Sequence, residues 1–295
     1  ALINLAVVAF REGNTEYVLT KGTHVVNGEP TIVGENAVVR GQGPATHVKM
    51  EAGDYGGTGN VAMRVNSNNV VIRDMRLDGN ASNVSNTGKT GHYAVYTDGV
   101  DTVTCENLWI HDFDGYGLDP HYSKDGTLTT NFGAYNCLVE DCASANGHNI
   151  TLSGVKNSNV AFCTSRGSGG HGMTIDANTS TGNVFLGNFV TGASNQGIQL
   201  TNGPDNVTIA YNRVTNNDNG IFAGFATAEH RNINISNNVV WGNPKVGIQV
   251  NYATKVTISD NAVYNNGNTA NIALNADSPS TAPEYVAVTG NIVDA

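Results

Sequence analysis

The chain has 295 residues, only 14% of them charged, with a net charge of -10. It contains no apolar run of about 18 residues, which excludes a membrane-spanning helix, and its acidic balance repels polyanions at long range, which argues against nucleic acid as a partner. An acidic polysaccharide is still admitted if Lys and Arg gather in a cleft and offset the overall field.

The 35 glycines and the abundance of Asn, Thr, Ser and Val are poor in helix formers and rich in β-branched and turn residues. That mixture predicts short strands with many turns. Ala1 to Phe10 is apolar without a basic n-region, so it does not read as an intact signal peptide. Its Ala and Leu content predicts a short helix capping the open end of a repeat fold. From Tyr17 the pattern alternates with period two. Val25, Ile32, Val38 and Val48 fall on short strands punctuated by glycines, followed by Val61 to Val65 and Val70 to Leu77. A polar loop, Asp78 to Gly91, comes next. Cys105, Cys137, Cys142 and Cys163 lack the close paired spacing of metal ligands. They sit in strand-like apolar contexts such as Val160-Ala161-Phe162-Cys163, which predicts buried free thiols rather than disulfides.

From about residue 104 a repeat becomes explicit. Val-x-Ile-x-x-Asn-x-Val and its variants recur at 207–214, 233–240, 256–263 and 286–293, with looser copies at 137–144, 160–165 and 183–190. Each is followed by an Asn/Gly turn and a second short strand. The inward residues of those second strands align as Leu118, Ile150, Met173, Ile198, Ile221, Ile248 and Ile272, at spacings of 32, 23, 25, 23, 27 and 24 residues. A period in the low twenties with two or three short strands per turn predicts a right-handed parallel β-helix, a single domain over residues 1–295. Asn212, Asn238, Asn261 and Asn291 would stack as a ladder within one turn.

Equivalent residues on successive rungs of such a solenoid lie about 4.8 Å apart, so the alignment predicts columns. One reads Tyr116, His148, His171, Gln196, Asn219, Val246. The next reads Asp119, Thr151, Thr174, Gln199, Phe222, Gln249, and a third reads His121, Ser153, Asp176, Thr201, Gly224, Asn251. Titratable residues concentrate in the first three rungs, which predicts a functional patch of Tyr116, Asp119, His121, His148, Ser153, His171 and Asp176. A single exposed His or Tyr usually only decorates a surface; three histidines converging with a Tyr and two Asp form a site. His24, His47, His92, His111 and His230 lack such company and are read as structural or surface residues.

Tyr116-Gly117-Leu118-Asp119-Pro120-His121 resembles the Tyr-Gly-Phe-Asp-Pro-His motif of secreted mannuronan C5-epimerase catalytic modules, with His171 in the place of a second histidine about fifty residues on. Leu77-Asp78-Gly79-Asn80 and Lys89 resemble that family's loop and its substrate-contacting Lys. Arg64 matches a cleft Arg, and Tyr17-Val18-Leu19 resembles the strand after the capping helix. The resemblance covers most of residues 10–200. It departs at Gly170, where the family usually has Arg, at His148, where a carboxylate is expected, and at the later amides. The nonapeptide calcium modules that often follow such domains are not part of this sequence, which would make it an isolated catalytic module.

The resemblance implies conversion of β-D-mannuronate to α-L-guluronate within polymeric alginate. Removal of the C5 proton gives a dianionic enolate, so a site must neutralise the carboxylate and hold a base on one face of the ring. Reprotonation from the other face epimerises; expulsion of the C4 oxygen makes the same residues a lyase. Tyr116 and His121 fit an acid/base pair, with the assignment between them open. His171 would neutralise the carboxylate or assist Tyr116, and Asp119 would share a proton with the carboxylate or orient His121. Arg64, Lys89, Lys124, His148, Ser153, Asp176, Gln196 and Gln199 are the expected substrate contacts. No redox cofactor is implied; calcium would sit at Asp112, Asp114 or near Asp78, without a strong ligand spacing. The expected protein is a monomer, secreted, without nucleic acid or membrane partners. A non-catalytic glycan-binding β-helix is the alternative from another class. Stacked aromatic rows would favour it, but Trp109 and Trp241 read as isolated core residues.

Overall fold

Each repeated Val-x-Ile-x-x-Asn-x-Val segment folds as two short strands that break at its Asn, as in Asp205–Ala210 and Arg213–Thr215, rather than as one, and each strand lies parallel to its counterpart one turn later. A computed structural model describes residues 3–4, 9–54, 60–85, 92–142, 147–225, 228–267, 270–275 and 282–294. The second strands of the repeat build one sheet of eleven strands in strict chain order, from Ala9–Phe10 to Ala270–Leu274. The remaining faces of the solenoid form a continuous sheet of 21 strands. Its long strands Val70–Asp78 and Val103–His111 bend across two faces, each pairing with two shorter strands of a neighbouring turn.

The register follows the alignment of inward residues without a slip. Leu118 pairs with Ile150, Ile150 with Met173, Met173 with Ile198, Ile198 with Ile221, Ile221 with Ile248, and Ile248 with Ile272. These side chains stack down the solenoid axis, and all but the last are almost entirely removed from water. Each such residue contributes roughly 1.5–3 kcal/mol by leaving water. Buried side chains inside and polar ones outside therefore pin the register, because a one-residue slip would exchange the two faces. The predicted columns hold as far as Leu200. There the next strand bulges, so that Thr201 pairs with Phe225 instead of Gly224; Gly224 takes a φ of 117° that a side chain would resist.

The asparagine ladder runs further than the repeat alone suggests. Asn188, Asn212, Asn238, Asn261 and Asn291 each pass a side-chain oxygen to the backbone N–H and side-chain amide of the previous member, or in the case of Asn188 to the backbone of Cys163. A second ladder, Asn217, Asn243 and Asn266, does the same one turn corner later. Both satisfy backbone groups buried where the chain leaves the sheet.

Two expectations are corrected. Among the described residues no capping helix is seen at the N-terminus: Ile3–Asn4 and Ala9–Phe10 are strands, paired in parallel with Gly22–Val26 and Thr31–Ile32. A short apolar run does not by itself distinguish helix from strand, and here the open hydrogen-bonding edge of the next rung captures it. Nor are the two tryptophans core residues. Trp109 lies between the inward Leu108 and Ile110 and so faces outward, under the Arg76 guanidinium, with its Nε1–H donated to Glu140. Trp241 follows the inward Val240, stacks on Tyr264 and is approached by Arg213. The four cysteines are buried and free, as the sequence suggests.

Candidate active site

Strand Tyr116–His121 positions the centre of the site. Leu118 enters the core and Asp119 and His121 alternate outward, while Tyr116, the first residue of the strand, borders the same cleft. Gly117 permits the close approach of the next rung: a Cβ there would strike the carbonyl oxygen of Asn149 and the side chain of Val139. The outward face carries a cleft of about 410 Å³, bordered by Tyr116, Asp119, His121, His148, Ser153, His171 and Asp176. The seven residues of the predicted patch thus meet in one cavity, together with Gln199. Tyr93 and Tyr96 border it as well, and sequence reasoning missed both. They stand one rung before Tyr116 and Asp119, ahead of where the alignment of repeats begins; extending the columns back one turn would have found them.

The rings form a continuous chain around the cleft. Tyr122 stacks on His121 at 4.4 Å, His121 on Tyr96 at 5.7 Å, and Tyr96 meets Tyr93 edge-on at 5.4 Å. Tyr93 stacks on Tyr116 at 5.2 Å, Tyr116 meets His148 edge-on at 5.1 Å, and His148 lies 4.5 Å from His171. His121 is therefore held between two phenol rings.

Hydrogen bonds set the tautomers. The Nδ1 of His121 lies 2.8 Å from the Tyr122 carbonyl oxygen, which only accepts. Nδ1 thus carries the proton, and Nε2 of the neutral ring offers a lone pair. His148 and His171 are the reverse. The Nδ1 of His148 accepts the His171 backbone N–H at 3.0 Å, and that of His171 accepts the Gln196 N–H at 3.4 Å, so their protons lie on Nε2. Burial pushes His148 down to about 3, with the neighbouring His171 adding to the effect, and burial takes His171 down to about 4. Both rings are neutral donors at ordinary pH.

The carboxyl of Asp119 is fully enclosed. Burial first, and then the charge of Asp176, holds its pKa well above the usual carboxylate range, so it keeps its proton. Among the described residues its Oδ1 has no partner, and neither do the buried hydroxyls of Thr151 and Thr174 along the same column. Unpartnered polar atoms on a cleft floor are costly to leave dry and are suited to a polar ligand. Burial, Asp119 and Asp176 together also raise the phenol of Tyr116, while burial leads the rise of Tyr96 to about 12. Asp176 accepts from the Asn202 amide at 2.7 Å.

The expected cations stand apart from this centre. Arg64 lies over the Tyr96 ring but pairs with Glu29 at 3.0 Å and Asp98 at 3.9 Å. Lys124 is exposed on the turn after His121, and Gln196 sits beneath His171 beside the cleft. Lys89 lies outside the described residues. Among the described residues bordering the cleft, none is Lys or Arg.

Asp78, His111 and Asp112, near which calcium was expected, gather within 4.8 Å. They do not fit a calcium ion. Asp78 already takes His47 at 2.9 Å and has Arg76 and Lys49 beside it, and both ring nitrogens of His111 are engaged by Arg76 and Asp112. Calcium needs six or more oxygens, and this group is an ion-paired cluster instead.

A parallel solenoid with a titratable cleft on one outer sheet defines the class of protein. The family model described as right handed beta helix region matches residues 61–228, and the chain belongs to that family. A comparison with curated proteins finds no sequence match. Among solved structures, the A-module of mannuronan C-5 epimerase AlgE4 from Azotobacter vinelandii is similar at a TM-score of 0.71 and 18% identity, covering 95% of this chain and 89% of that one. The Dettilon tailspike protein matches at 0.66 and 14% identity, over 94% of this chain and 54% of its own. A hyperthermoactive exopolygalacturonase from Thermotoga maritima matches at 0.63 and 13% identity, over 95% and 84%. At these identities the likeness establishes the fold.

Proposed function

We propose that the protein is a polysaccharide C5-epimerase that converts β-D-mannuronate to α-L-guluronate residues in an alginate chain outside the cytoplasm. The observation that carries this reading is the pairing of a lone pair on His121 Nε2 with a protonated Tyr116 phenol in one cleft. His121 takes the C5 proton, and the phenol, held protonated first of all by its burial, returns one to the other face. The His121 tautomer and the raised Tyr116 phenol support that division of roles, which the sequence leaves open.

The substrate carboxylate becomes part of a dianionic enolate as the proton leaves. In place of a cation, the cleft offers neutral donors: the protonated Asp119 and the Nε2–H groups of His148 and His171. A short hydrogen bond from a carboxylic acid in a water-poor site stabilises developing charge without a charge of its own. The A-module of a mannuronan C-5 epimerase among the similar structures supports the choice of substrate. Neither a redox cofactor nor a metal is part of the proposed chemistry, and the proposed protein acts as a monomer.

Were the Tyr116 proton delivered to the C4 oxygen instead, the same groups would cleave the chain by β-elimination. Incubation with polymannuronate in heavy water separates these outcomes. Deuterium at C5 with guluronate signals by proton NMR, and no absorbance from unsaturated ends, is expected. A rise in ultraviolet absorbance with chain shortening makes the protein a lyase. Binding without either, unaffected by Tyr116→Phe, leaves a glycan-binding solenoid.

A further inference from the structure

Beyond His121 the cleft does not end. It continues past the strand into a second hollow of about 300 Å³ that shares His121, Ser153 and Asp176 and adds Tyr122, Asn178 and Asn202. A third of about 270 Å³ shares Tyr122 and Asn178 and reaches Leu128; its walls are mostly carbon. The groove thus runs along the strand direction, across the solenoid axis.

Tyr122 is the feature built into this extension. The residue is 40% exposed, yet its ring is packed against two neighbours. One contact is the His121 ring at 4.4 Å, and another is Gly154, where any Cβ would strike the Tyr122 ring and where φ is 62°. Residue 154 is therefore held to glycine twice over, by the ring above it and by its own backbone. Among the described residues, neither hollow contains Lys or Arg, and the only charged side chain is Asp176, which would repel a carboxylate.

We propose that this groove holds the sugar next to the reacting uronate, gripped through the C–H face of its ring by Tyr122 rather than through its carboxylate. An amphipathic phenol presents an apolar face to such a ring while its hydroxyl stays in water. The proposal rests on the glycan reading above, and it adds a direction: the polymer lies along the strands, with its carboxylate at this position turned to solvent.

The test is calorimetric binding of oligouronates of increasing length to the wild type, Tyr122→Ala and Tyr122→Phe, using mannuronate, guluronate and galacturonate series at low and high salt. In the wild type and Tyr122→Phe, affinity should rise roughly tenfold at the length that first fills the groove. That step should be absent from Tyr122→Ala, while shorter oligomers bind it as they bind the wild type. The step should also persist at high salt, since stacking is not screened. Equal weakening at every length would mean that Tyr122 only positions His121, and would overturn the proposal, as would a step that collapses with salt. If only a series other than mannuronate binds, the substrate assignment falls and the subsite is read on the series that binds. If none binds, both fall.

Discussion

His121 and His148 border the same cleft with their ring protons on opposite nitrogens. His121 donates from Nδ1 to the Tyr122 carbonyl at 2.8 Å, whereas His148 Nδ1 accepts the backbone N–H of His171 at 3.0 Å. One ring is therefore set to take a proton and the other to give a hydrogen bond. Backbone groups impose the difference, so it persists without substrate.

Removing the base should show this division. His121→Ala is expected to slow C5 deuterium exchange on polymannuronate by about 10²–10⁴-fold, and Tyr116→Phe to slow product formation comparably. His148→Gln, which keeps a donor, should cost about tenfold or less. Equal losses in His121→Ala and His148→Gln, measured as initial exchange rates by NMR, would contradict the assignment.

The buried histidines should make the fold acid-sensitive. Their folded pKa values, about 3 for His148 and about 4 for His171, lie below the ordinary 6.5. The unfolded chain thus binds more protons below 6.5, and stability falls as pH drops from 6.5 toward 4 and 3. Each ring accounts for roughly 3–5 kcal/mol of that loss. Thermal melts followed by circular dichroism should show the double variant His148→Gln/His171→Gln losing much less Tm over this range than the wild type. Parallel curves for the two proteins would show that the rings are charged in the folded state.

Asp119 works in the opposite sense. Its folded pKa is raised, so the unfolded chain releases a proton that the folded chain keeps, and stability falls as pH rises above the unfolded value near 4. Asp119→Asn removes that cost. The Tm of the variant minus that of the wild type should grow from about pH 4 upward and level off only past the raised pKa. A difference that does not change with pH would mean that Asp119 is ionised in the fold.

The amide ladder should be cooperative. Asn238 accepts from Asn212 and donates to the Ile209 carbonyl and to Asn261. Asn238→Ala leaves the buried Asn212 backbone N–H without its acceptor and takes a donor from the Ile209 carbonyl and the Asn261 side-chain oxygen, at about 1–3 kcal/mol for each unsatisfied group. Urea unfolding should show a loss of at least 2 kcal/mol or so, against nearly none for Asn66→Ala at an exposed position outside the ladders. A loss below 1 kcal/mol would mean that water replaces the missing amide.

How much of this was legible beforehand depends on the range of the interaction. Alternation of apolar residues and a period in the low twenties determined the parallel solenoid, its register from Leu118 to Ile272 and the columns that bring Tyr116, Asp119, His121, His148, Ser153, His171 and Asp176 together. Every rung repeats the same local rule, so in a solenoid sequence spacing converts directly to distance. Where the rule is interrupted the reading failed. The polar loop before Tyr93 hid one rung of the cleft, the bulge at Gly224 displaced a column, and the edge of an adjacent rung drew the N-terminal run into strands. Only the tertiary structure decided the protonation of the site. Tautomers depend on which backbone group each ring nitrogen meets, and the states of Asp119, His148 and His171 depend on how completely neighbouring turns exclude water, neither of which is written in the spacing of residues along the chain.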